Sequence, residues 1–231
     1  MLGALRGDLR AARERDPAAR SALELVLCYP GIHAVWGHRA SHWLWRQHAR
    51  LLARLCSALT CWLTGVDIHP AAVLGPGLFI DHAVGVVIGE TAQIGTDVTI
   101  YHGVTLGGSS LGRGKRHPTV GDRVTIGAGA KILGPITIGH DSRIGANAVV
   151  VRPVPPDSVV VGVPGQVIHR SHPRAATAPP DLDHTLLPDL VGVSLHALLI
   201  RIEELEAKIN GTPPHRHHPA SEVWYEQDFA I

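Results

Sequence analysis

Residues 120–155 read VGDRVT, IGAGAK, ILGPIT, IGHDSR, IGANAV and VVRPVP, in steps of six. Val120, Ile126, Ile132, Ile138, Ile144 and Val150 open the blocks, and Gly121, Gly127, Gly139 and Gly145 follow four of them. Val124, Ala130, Ile136, Ser142, Ala148 and Val154 stand four places on. A period of six fits neither an amphipathic helix nor a hairpin sheet. It fits a parallel β-helix, where each short strand is one wall of a triangular coil. The branched residue points inward, the smaller one fills the tighter corner, and glycine accepts the backbone angles of the turn. Three blocks make one coil, and coils stack at about the 4.8 Å strand spacing.

The same beat runs back to Val66. Ile68, Leu74 and Ile80 are in phase, and so are Ile88, Ile94, Ile100 and Leu106, but eight residues rather than six separate Ile80 from Ile88. The segment DHAVGVV, residues 81–87, must therefore bulge. A larger slip lies between Leu106 and Val120, where GGSSLGRGKRHPT has glycines at 107, 108, 112 and 114 and reads as a loop thrown out from a corner. Breaks in an otherwise strict repeat are where function tends to sit. The loop is not a Walker phosphate loop, because Ser109 stands where glycine is required five residues before Gly114-Lys115.

Around the repeat domain, residues 66–169, the chain divides by composition. Residues 1–65 read as a helical domain. The first helical stretch, 1–28, is broken at Asp16-Pro17, because a residue before proline avoids helical angles, and Asp16 is a candidate cap for the next helix. Tyr29-Pro30-Gly31 is a stop. A second helical stretch runs from about Ile32 to Thr64, and its Trp36, Trp43, Trp45 and Trp62 imply packing against something large. His38 and His42 have the i, i+4 spacing of a helical metal pair, but Arg39 replaces the glutamate of HExxH and ordinary packing is the simpler reading.

Val159 to Ile168 close the open end of the coil, and residues 170–188 are a Pro/Ala-rich linker. In an amphipathic helix over 189–210, Val191, Leu195, Leu198, Ile202, Leu205 and Ile209 are spaced 4, 3, 4, 3, 4 and stop at Asn210-Gly211. That is a heptad seam, for self-association or for docking on the same chain. Residues 211–231 form a flexible tail whose Trp224, Tyr225, Phe229 and Ile231 suggest a peptide captured by another protein, or a frayed terminus.

Composition narrows the function. A net charge of +1 with all 16 histidines neutral gives no case for nucleic acid or an anionic membrane. The most apolar run, 51–66, contains Arg54 and falls short of the about 20 residues a span needs. Cys28, Cys56 and Cys61 make no disulfide framework, and no basic-then-apolar leader opens the chain, so a cytoplasmic protein is expected. A coil filled with Ile and Val leaves no internal cavity, so chemistry belongs on its walls, its loops, or clefts between copies. The candidates at the two breaks are Asp67 and His69, Asp81-His82, Glu90, and Arg116-His117. A histidine beside carboxylates takes a proton from a hydroxyl near neutral pH, and a carboxylate on its far nitrogen fixes the tautomer.

The runs RERDPAARS (13–21), CYPGIHAVWGHRASHWLW (28–45), VDIHPAAVLGPGLFIDHAVGVVIGETA (66–92), VTLGG (104–108), RHPTVGDRVTIGAGAKILG (116–134) and PVPPDS (153–158) closely resemble bacterial serine O-acetyltransferases. The resemblance covers residues 8 to 170 and extends to the Ile-terminated tail. It implies a mixed α+β chain: an N-terminal helical domain, a left-handed parallel β-helix, then a C-terminal helix and flexible tail. It implies transfer of acetyl from acetyl-CoA to the hydroxyl of L-serine, without a metal. By the same resemblance His82 is the catalytic base and Asp67 its carboxylate partner. Asp16 and Asp81 hold the serine amino group, Arg116 grips its carboxylate, and His117 lines the pocket. Backbone at Gly108, Ala128 and Ala146 faces CoA, with Arg143 near its phosphates. Members are trimers with sites between adjacent β-helices, and some pair their trimers. L-cysteine is a common feedback inhibitor, and a terminal isoleucine, here Ile231, enters O-acetylserine sulfhydrylase.

The residue chemistry agrees with those roles. A zwitterion needs a cationic and an anionic contact, and arginine grips a carboxylate with two parallel bonds. The oxyanion needs donors, which a glycine-rich backbone supplies. One point of geometry stays open: Asp67 and His82 are 15 residues apart, not 18, so either the bulge brings them together or a neighbouring chain intervenes. Three other readings fit less well. Arg116 and Asp16 argue against a different acceptor, such as a sugar. The lack of a histidine triplet on matching coil positions argues against a zinc enzyme of this fold. The intact set Asp67, His82, Arg116 and His117 argues against a regulator that acts only through its tail.

Overall fold

A computed structural model describes residues 2–170, 190–210 and 229–230. Four helices come first: α1 (Leu2–Arg15), α2 (Ala22–Cys28), α3 (Pro30–Arg46) and α4 (Arg50–Thr64). The cap of α2 is Ser21, whose hydroxyl accepts from the Glu24 N–H; Asp16 is used elsewhere. Pro30 belongs to α3 at its first turn, where a missing N–H costs nothing, so the Tyr-Pro-Gly stop ends one helix and starts the next.

The single helix expected over 32–64 is in fact two. The Ala49 N–H reaches Leu44 O and the His48 N–H reaches Trp45 O, both at 3.1 Å, which is a Schellman closure. The residue in the left-handed region is His48, at φ 60°. No glycine or proline marks the break, which is why composition hides it. Gly65, at φ 72°, ends α4 in the ordinary way and turns the chain into the coil.

The repeat folds as a three-walled parallel β-helix. Wall one stacks β1 (Asp67–Ile68), β4 (Val87–Ile88), β7 (Thr105–Gly107), β10 (Lys131–Leu133) and β13 (Val149–Val150). Wall two stacks β2 (Val73–Leu74), β5 (Gln93–Ile94), β8 (Thr119–Val120) and β11 (Thr137–Ile138). Wall three stacks β3 (Phe79–Asp81), β6 (Thr99–Tyr101), β9 (Thr125–Ile126), β12 (Arg143–Ile144) and β14 (Ser158–Val161). Ile88, Ile100, Leu106, Ile126, Ile132, Ile138 and Ile144 are all at most 1% exposed and fill the interior as rungs. Truncating one such rung to alanine costs about 2–5 kcal/mol.

Both slips read in the sequence appear as register. Thr119 pairs with Thr137, 18 residues on, the undisturbed coil. Asp67 pairs with Val87 at 20, so the first coil carries two extra residues. Gln93 pairs with Thr119 at 26, so the loop before β8 adds eight. The extra pair in the first coil forces His82 and Ala83 to φ 55° and 44°, left-handed values that β-carbon sterics disfavour.

The helices close one end of the prism. Ala34 and Val35 of α3 join the same buried cluster as Val66 and Ile68. A β-carbon on Gly31 would sit 2.0 Å from Ile80 O, so α3 lies directly on β3. The Arg39 guanidinium forks onto buried Asp8 (2.9 and 2.8 Å), whose carboxylate also accepts from the Gly77 N–H, tying α1 and α3 to the first coil. At the other end β15 (Gln166–Arg170) turns back antiparallel on β14, burying Ile168 beside Val159 and Val160. Helix α5 (Leu190–Asn210) follows, and β16 (Phe229–Ala230) pairs antiparallel with β15. The expected linker, most of the tail and Ile231 lie outside the described residues.

Candidate active site

The first slip builds an acidic corner. His82 stands just past β3, where wall three turns into wall one, with its side chain 75% exposed. Its Nε2 lies 3.8 Å from Asp81 Oδ2, beyond hydrogen-bond length. Burial pushes the Asp81 carboxyl above its usual range; the nearby His82 opposes this and the Asp16 carboxylate adds to it. Asp16 reaches this corner because Arg15, at the end of α1, is fixed to the prism by bonds to Gly77 O, Val98 O, Thr99 Oγ1 and Asp97. The Asp16 carboxylate is then aimed by two donors: the Ala18 N–H at 2.8 Å and the Tyr29 hydroxyl at 2.6 Å. The bond to Asp16 drives the Tyr29 phenol up to about 12.

Going up the same edge, the Gly103 N–H bonds Val84 O, the Gly129 N–H bonds His102 O, and the Asn147 N–H bonds Ala128 O. With Asp81 opposite Tyr101, Ile100 opposite Ile126 and Ile126 opposite Ile144, this makes one row of His82, His102, Ala128 and Ala146. The His82 and His102 rings meet edge to face at 6.0 Å. Above them stand the two alanines, Ala128 about 10 Å and Ala146 about 15 Å up from His82, two and three strand spacings.

The second slip builds a cationic corner on another edge, where wall one turns into wall two. Thr91 organises it. Its hydroxyl oxygen accepts from the Arg116 and His117 N–H groups, both at 3.0 Å, and its own N–H donates to His117 Nδ1. An accepting Nδ1 leaves the neutral ring with its proton on Nε2. Burial first, then the adjacent Arg116 charge, pushes the His117 pKa down, which favours that neutral form. The ring is wedged between Gly89 and Gly108: a β-carbon on Gly89 would stand 2.1 Å from its Nε2, and one on Gly108 3.2 Å. Arg116 donates to Glu90, and that bond holds the Glu90 carboxyl below its usual range.

The structure thus sorts the expected residues into groups. Asp16, Asp81 and His82 come together, with Ala128 and Ala146 on their row. Arg116, His117 and Gly108 come together on the other edge. Arg143 belongs to neither; it is 2% exposed in β12, in the column of Thr99 and Thr125. The expected pairing of Asp67 with His82 is not made within this chain. Asp67, in register with Val87, lies on the exposed face of β1, and no hydrogen bond or ion pair joins it to His82 among the described residues. The carboxylate that does stand beside His82 is Asp81. Tyr29, His102 and Thr91 escaped the sequence reading. His102 was legible: it follows His82 by 20, the length of the coil that contains the slip. Tyr29 was hidden because it reads as part of a helix stop. Among the described residues no group of three His, Cys, Asp or Glu side chains could hold a metal ion, and no helix is long and apolar enough to cross a membrane.

Comparison with known proteins agrees with the fold. Residues 117–152 match the bacterial transferase hexapeptide (six repeats) family. The chain is 64% identical to a serine acetyltransferase of Mycobacterium tuberculosis over 234 aligned positions, covering 100% of both chains. It superposes on a Neisseria gonorrhoeae serine acetyltransferase solved in complex with serine (TM-score 0.69, 50% identity, 71% of this chain and 67% of that one). It also superposes on a serine acetyltransferase solved in complex with cysteine (TM-score 0.72, 43% identity, 77% of this chain and 67% of that one).

Proposed function

The chain belongs to the serine acetyltransferases, and from that premise we propose how its two corners carry out the reaction. It transfers an acetyl group to the hydroxyl of L-serine, with acetyl-CoA as the donor. The observation that carries the assignment of roles is the acidic corner: two carboxylates, one aimed by Tyr29 and Ala18, beside an exposed imidazole on a strained backbone.

Asp16 and Asp81 receive the serine ammonium. The Arg116 guanidinium takes its carboxylate with two parallel bonds, and the His117 Nε2–H adds a neutral donor. His82 accepts the proton from the serine Oγ as that oxygen attacks the thioester carbonyl carbon. The tetrahedral oxyanion collapses, the C–S bond breaks, and the CoA thiolate leaves with the proton returned by the His82 imidazolium. The pantetheine arm runs up the row past His102 to the backbone at Ala128 and Ala146. Asp67 and Arg143 keep the orienting and phosphate-binding roles implied by the resemblance only if a second chain changes their surroundings.

The grips for the two ends of serine stand on different edges of one prism. A ring of copies, each setting its acidic corner against the cationic corner of the next, assembles the site, and three copies close it. L-cysteine differs from serine only in sulfur for oxygen and fits the same grips, which makes it the natural inhibitor. Binding of O-acetylserine sulfhydrylase falls to the tail ending at Ile231. The test is thiol release from acetyl-CoA with L-serine. His82→Ala should lower turnover by about 10²–10⁴-fold with the fold intact, and turnover at the wild-type rate would remove His82 as the base.

A further inference from the structure

We propose that α5 is a parallel self-association helix whose seam packs in register on the same seam of other copies of this chain. Leu195, Leu198, Ile202, Leu205 and Ile209 are 55, 60, 50, 46 and 82% exposed, a continuous apolar stripe left open among the described residues. Ala207, 8% exposed, is the one buried residue described in α5 and lies about 200° around the helix from Leu205 and from Ile209, off the stripe. The spacing of 3 and 4 is that of a coiled-coil seam, and Leu199, 56% exposed at the flanking e position, widens it enough for each helix to meet two others.

Charge selects the occupant and its direction. With Leu195, Ile202 and Ile209 at the a positions and Leu198 and Leu205 at d, Arg201 falls at g and Glu206 at the following e. In a parallel, in-register pair of identical helices, those two positions face each other across the seam with opposite charge. An antiparallel pairing sets g against g and repeats like charges. The stripe spans fewer than three heptads, so the helix alone is marginal. The ring of prisms proposed above presents the helices from the same end of each copy, at an effective concentration on the order of millimolar. To that extent the inference rests on the ring.

The experiment uses the full chain with Cys28, Cys56 and Cys61 replaced by serine. Leu198→Cys on the seam and His196→Cys off it are oxidised mildly and compared on non-reducing gels. The interchain disulfide should form about tenfold more at position 198 than at 196. Ile202→Glu, combined with Leu205→Cys, should abolish the disulfide at 205. Equal yields at 196 and 198, no disulfide at 198, or a disulfide at 205 that survives Ile202→Glu would each overturn the proposal. These positions are exposed in the folded chain, so circular dichroism and thiol release from acetyl-CoA should stay as in the parent. A loss of thiol release with the disulfide intact would count against the ring, not against the helix.

Discussion

The division of the site between two edges makes a quantitative prediction for mixed assemblies. Take His82→Ala, which removes the imidazole from the acidic corner, and Arg116→Ala, which removes the guanidinium from the cationic corner. Each alone should be nearly inactive, the first by loss of the base and the second by loss of the carboxylate grip. Mix the two chains equally by co-expression or joint refolding. If each site uses the acidic corner of one copy and the cationic corner of the next, a site works only when the first copy carries intact His82 and its neighbour carries intact Arg116. In a randomly mixed ring each condition holds at half the positions, so about a quarter of sites should be native. Thiol release from acetyl-CoA at L-serine well below the wild-type KM should climb from about a hundredth of wild type or less to about a quarter. The rate should also scale with the product of the two mole fractions, peaking at equal mixing. A mixture no more active than the average of its parents would refute the shared site and place both grips on one chain.

Three further outcomes test the framework. Gly31→Ala places a β-carbon 2.0 Å from Ile80 O, one residue before Asp81-His82, so α3 must lift from β3; it should cost about 1–3 kcal/mol in chemical denaturation and lower turnover. Tyr29→Phe removes one of the two donors that aim Asp16, a bond to a charged acceptor; the KM for serine should rise about tenfold with kcat within about twofold. His38 is 3% exposed and its pKa is driven down to about 3, first by burial, then by the nearby His42 and Arg39. Its stabilising effect is complete above the unfolded value of 6.5 and is lost as pH falls toward 3, because only the unfolded chain then takes up the proton. At pH 5 the loss is about 2 kcal/mol at 1.36 kcal/mol per pH unit. His38→Leu should flatten that part of the stability profile, and an unchanged slope would exclude His38 as its cause.

Much of the fold was legible because the interior of a β-helix is one-dimensional. A rung at Ile126 reports only on rungs at Ile100 and Ile144, so periodicity places the strands from β1 to β13, and a miscount of two or eight shows up as a broken beat. The helical domain has no such redundancy. The break at His48 depends on a left-handed residue held by two backbone bonds, and composition gives it no mark. The site was legible in its residue types and not in its grouping. The resemblance paired Asp67 with His82 while the spacing of 15 left their geometry open; in the structure the carboxylate beside His82 is that of Asp81, 3.8 Å away.

The two slips have a common physical logic. An undisturbed coil turns its corners on glycine and small polar residues and offers no concavity for a ligand. Two extra residues put an imidazole on a left-handed backbone, free of the prism wall and next to a half-buried carboxylate. Eight extra residues carry an arginine and a histidine out of register and then pin them back through Thr91. Each slip breaks the repeat at a turn between walls and leaves the rungs beneath intact, with Ile80, Ile88, Leu106 and Val120 all at most 2% exposed. The rigid interior therefore fixes the height and direction of both corners along the prism.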